Sequence, residues 1–81
     1  MTGKLEWKDY PEAVTFRSGC KVSWRYYENE HAALEAALAA KNNARILRAK
    51  GYDFGYQSPG AVRRMPESWG KFSGLWEVTL P

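Results

Sequence analysis

The longest regular pattern in the chain runs from about Asn29 to Lys50, where small apolar residues return at helical spacing among good helix formers. At about 100° per residue, Ala32, Ala33, Ala36, Ala37, Ala39, Ala40, Ala44, Ile46 and Leu47 fall on one broad half of the wheel. One long helix is predicted there, with Asn29 as its N-cap and Gly51 as a left-handed stop. Glu28, Glu30 and Glu35 lie toward its start and Lys41, Arg45, Arg48 and Lys50 toward its end, as the helix dipole favours. Asn42 and Asn43 are weak helix formers at mid-span, where the pattern allows a kink.

Elsewhere the apolar period is two, the signature of half-buried strands. Val22, Trp24 and Tyr26 alternate with Lys21, Ser23 and Arg25, and Tyr52, Phe54 and Tyr56 repeat the pattern after the helix. Trp76, Val78 and Leu80 alternate with Glu77 and Thr79 in the last run. A further strand is expected over residues 13–17, joined to the first by a tight turn at Ser18 and Gly19. A short edge strand over residues 61–65 would enter from the Pro59-Gly60 turn and end at Pro66.

An alanine face lets a helix approach closely, so the layer opposite must supply the volume. Trp24, Tyr26, Tyr52, Phe54, Tyr56 and Trp76 are the side chains expected to do so. The fold class that follows is α+β. It is a single two-layer domain over residues 1–81, with a 3–4 stranded antiparallel or mixed sheet covered on one face by one long helix, about 29–50.

Composition narrows the function classes. With 81 residues there is room for one domain. The single cysteine, Cys20, excludes an intrachain disulfide and is expected to be a small buried hydrophobe. The charged, discontinuous N-terminal stretch reads as neither signal peptide nor membrane span, so a soluble cytoplasmic protein is expected, with no membrane partner. Cys20 and His31 are too few soft ligands for a structural zinc site, and no metal, cofactor or catalytic residue is assigned. Glu28, His31 and Glu35 have the spacing to tune a general base, but a solvated helix face has the same spacing, so no enzyme is expected.

Aromatic content of 15% and a net charge of +3 raise nucleic-acid binding. The aromatics are better explained by the alanine face, since the sheet's other side, with Lys21, Arg25, Asp53 and Glu77, is poor in rings. The charge is unevenly placed. Residues 1–40 carry five basic and six acidic side chains, net −1, and residues 41–81 seven basic and three acidic, net +4. Lys41, Arg45 and Arg48 form one helix stripe, while Arg63, Arg64, Trp69 and Lys71 lie in the Pro- and Gly-rich stretch 58–74. Trp69 and Phe72 of that stretch could instead close one edge of the core.

These seven residues are the candidate surface for an anionic partner, whether nucleotide, nucleic acid or acidic protein patch. The alternative is a protein-interaction or inhibitor domain, of the size of phage or mobile-element accessory proteins. It would use Leu34 and Leu38, or an open sheet edge that could also make a homodimer. Leu34 and Leu38 lie outside the alanine face, where residues around Leu5 and Trp7 could cover them.

Overall fold

The computed structural model describes residues 9–81. The expected cover from Leu5 and Trp7 lies outside them. In chain order the elements are β1 (Thr15–Ser18), β2 (Ser23–Tyr27), α1 (Glu30–Ala49), β3 (Val62–Arg64) and β4 (Trp76–Leu80), with a short 3-10 segment, Glu67–Phe72, before β4. All pairings are antiparallel and the strand order is β1-β2-β4-β3. The molecule is therefore the α+β domain its pattern predicts, a four-stranded sheet with one long helix against it.

The helix keeps its predicted limits because its ends are chemically closed. Asn29 accepts the amide of Ala32 at 2.8 Å through its side chain. At the other end the amides of Gly51 and Tyr52 donate to the carbonyls of Arg48 and Leu47, and Gly51 takes a φ of +98°. Asn43 causes no break. It is buried on the sheet side of α1 and donates 2.8 Å to the hydroxyl of Tyr10, which tethers the segment ahead of β1 to the helix. Ala33, Ala36, Ala37 and Ala40 pack with Tyr10, Tyr27, Val78 and Leu80.

Three expectations are corrected. Residues 52–57 form turns and no strand. Tyr52 is drawn into the helix cap, Asp53 accepts the amide of Gly55 at 2.8 Å, and Gln57 bonds back to Phe54. Only Phe54 of that run is buried, against Val22, Ala44 and Leu47, while Tyr52 and Tyr56 are exposed. Cys20 is also exposed, because β1 and β2 are joined by residues 19–22, closed by the Gly19 amide on the Val22 carbonyl, and Cys20 lies on that turn.

The third correction concerns the facing of β2. Cross-strand partners share a face. Val78 and Leu80 lie under the helix, so their partners Arg25 and Ser23 lie there too, and Tyr27 with them opposite Trp76. Trp24 and Tyr26 consequently point away from α1. The alternation in β2 was ambiguous because rings occupy both phases, and the strictly apolar phase of β4 decides the register. Arg25 is accommodated on the helix side by donating 2.7 Å to the Pro11 carbonyl, which also receives the Tyr27 hydroxyl at 2.9 Å.

The outer face of the sheet is thus not the ring-poor surface expected. Met65, Phe72 and Leu75 cover Tyr26 and Trp24, with the Phe72 ring centroid 4.4 Å from that of Tyr26. Phe72 is buried and Trp69 lies beside it, so these two rings of the 58–74 stretch do close one side of the domain.

Candidate functional site

A groove of about 530 Å³ opens between α1 and the chain leading into β3. Helical spacing builds one wall. Leu34, Leu38 and Lys41 fall on adjacent turns beside the alanine face, and Ala37, on the edge of that face, lines the groove with them. Leu34 is 53% exposed and Leu38 72%, far more than the other leucines of the domain core.

Residues 58–62 make the other wall. This turn is held by its own backbone. The Ala61 amide donates to Ser58, and the Gly60 amide donates 2.7 Å to the Thr79 carbonyl of β4. Gly60 has a φ of +92°, and a Cβ there would meet the Lys41 side chain and the Ala37 carbonyl. Glycine is what allows the turn to lie directly against the helix. The Lys41 stem is laid along the turn in consequence, at the edge of the apolar groove.

The other predicted basic residues divide between two sides of the sheet. Arg45 is exposed on the outer flank of α1 and donates 2.6 Å to Asn42. Arg48 lies 5.2 Å from the Phe54 ring at the helix end. Arg64 shares the helix-facing side of the sheet with Val62 and sits 5.9 Å from the Trp76 ring. Arg63, Trp69 and Lys71 lie on the outer side, Lys71 over Phe72 at 5.2 Å. Arg64 therefore lies on the helix side of the sheet with the stripe, and Arg63, Trp69 and Lys71 are separated from both by the sheet.

Arg63 is committed internally. Its Nε donates 3.0 Å to Glu77, whose other oxygen accepts the Tyr26 hydroxyl at 2.8 Å and lies 3.6 Å from Arg17. Tyr26 in turn accepts 2.7 Å from Arg17. Trp69 roofs both guanidinium groups, 5.3 Å from Arg17 and 5.4 Å from Arg63. A carboxylate already occupies the position between the two arginines that an external anion would need. Neither Glu77 as a buried partner nor Arg17 as the second cation was anticipated, since in sequence each is simply the polar phase of a strand.

The chain matches no family model, no curated protein and no solved structure. A second opening, of about 300 Å³, lies between the β1–β2 turn and residues 54–57, walled by Val22, Trp24, Phe54 and Tyr56 with Lys21 and Cys20. Lys21 there faces Asp53 at 3.9 Å. His31 and Glu35 meet at 3.3 Å on an exposed part of α1, outside both openings. Among the described residues, no three His, Cys, Asp or Glu side chains gather as a metal group, and no helix is long and apolar enough to cross a membrane.

Proposed function

We propose that this chain is a non-enzymatic binding module that takes an acidic, partly apolar segment of another protein in the groove between α1 and residues 58–62. The observation that carries the reading is the convergence of Leu34, Leu38 and Lys41 on one wall of that groove. Two exposed leucines beside a lysine suit a partner that brings both apolar contact and negative charge. The division of the remaining basic side chains favours a protein segment over nucleic acid, which is tracked by a continuous run of phosphate contacts. Engagement of Arg63 by Glu77 weighs the same way.

Selection of random twelve-residue peptides against the immobilised protein tests this. Enriched peptides are expected to combine apolar and acidic residues. Their affinity should fall at least about tenfold on Leu38→Asp, equivalent to about 1.4 kcal/mol, and fall as salt is raised. Leu38 is exposed, so the substitution should leave the fold intact. Peptides that bind Leu38→Asp equally well would overturn the reading. So would tight, salt-sensitive binding of a labelled oligonucleotide that Leu38→Asp leaves unchanged and Arg63→Ala with Arg64→Ala abolishes.

A further inference from the structure

Beside the groove lies β3, one of the two edge strands of the sheet, and its backbone has a definite polarity. In an antiparallel ladder successive residues turn their N–H and C=O groups alternately toward and away from the neighbouring strand. The Thr79 amide donates to the Ala61 carbonyl and the Met65 amide to the Leu75 carbonyl, so residues 61 and 65, and Arg63 between them, turn toward β4. Val62 and Arg64 must then turn their amides and carbonyls outward. Among the described residues these four groups have no backbone partner.

We infer that the segment bound in the groove is extended and adds to the edge of β3 as a fifth strand, hydrogen-bonded to the backbone of Val62 and Arg64. This rests on the groove reading above and gives it a binding mode. Main-chain pairing at a sheet edge supplies affinity, and pockets for alternate side chains supply selectivity. Both are present side by side. Val62 and Arg64 project to the helix side, as their partners Val78 and Trp76 require. The two residues of an added strand that lie opposite them, two positions apart, project to that side as well. One enters the groove against Val62, Leu34 and Leu38; the other meets the Arg64 guanidinium. The motif selected is therefore an apolar residue and an acidic residue separated by one.

A second copy of the chain is a poorer occupant. Two-fold antiparallel pairing of β3 with itself about Arg63 sets that arginine opposite its own equivalent, and like charges directly opposite destabilise a strand pair. An acidic segment instead sets opposite charge against Arg64 and Lys41 on the helix side.

Amide hydrogen exchange, read residue by residue, together with backbone methylation of a selected peptide, tests the inference. In the free protein the Val62 and Arg64 amides should exchange quickly and the Arg63 amide slowly. Bound peptide should slow Val62 and Arg64 at least about tenfold, and N-methylation at the peptide residue facing β3 should weaken binding at least about tenfold, while methylation one residue along does not. If peptides require Leu38 yet leave Val62 and Arg64 exchanging freely, or tolerate both methylations, strand addition is wrong and the groove reading stands. If peptides bind without regard to Leu38, the groove reading fails and strand addition at this site fails with it.

Discussion

Glu77 sits on the central strand only 6% exposed, and its carboxylate accepts from Tyr26 and Arg63 while Arg17 stands close by. A buried carboxylate is tolerated only when its oxygens are satisfied, and here three elements contribute to satisfying them. The arginines are partly exposed, which screens their attraction, so much of the stabilisation rests on the shielded Tyr26 hydroxyl. Glu77→Ala should therefore lower stability by about 2 kcal/mol, read as a fall in the urea midpoint at constant slope. Glu77→Gln, which keeps an acceptor, should cost less. An unchanged midpoint in the alanine variant would mean that the cluster is electrostatically idle.

Gly60 matters through the element it joins. Its positive φ and its contact with the Lys41 stem let the turn before β3 lie on α1, which fixes the width of the groove. Gly60→Ala adds a Cβ in both an unfavourable conformation and an occupied space, so a loss of about 1–3 kcal/mol is expected. Peptide binding should weaken as well, and a thermal melt indistinguishable from the parent would contradict this. Elements of this molecule were legible in sequence where local chemistry closes them. The helix announces itself by composition, Asn29 and Gly51, and β4 by a clean apolar phase. Residues 52–57 were not legible, because an Asp-to-amide turn and a helix cap override an aromatic alternation that looks like a strand. Half of the groove was visible in Leu34, Leu38 and Lys41; the other half is a turn whose approach to α1 depends on tertiary contact. Arg63 and Arg64 fall on opposite sides of the sheet because consecutive residues of β3 alternate, and Trp69 goes with Arg63 because it packs beside Phe72 on the outer face.

Across the whole molecule, three buried tyrosines hold junctions between distant segments. Tyr10 binds the chain ahead of β1 to Asn43 of α1, Tyr27 donates to Pro11, and Tyr26 links β2 to Glu77. Burial is the main cause that raises the pKa of each above its ordinary value of 10. Their contribution is complete below about pH 10, the unfolded value. As pH climbs from there through the higher folded values, the unfolded chain ionises first and stability is lost. Urea midpoints should fall over that range, in step with a delayed rise in phenolate absorbance. Tyr10→Phe should flatten the fall; a midpoint insensitive to alkali would contradict it. The strand order adds a consequence for synthesis. β4 follows β1, β2, α1 and β3 in the chain yet lies between β2 and β3, so a nascent chain halted before residue 76 holds a lone hairpin, a helix and an unpaired β3. The sheet therefore cannot close until residues 76–80 are made, and until then Tyr27 and the alanine face of α1 lack the Val78 and Leu80 side chains that pack with them.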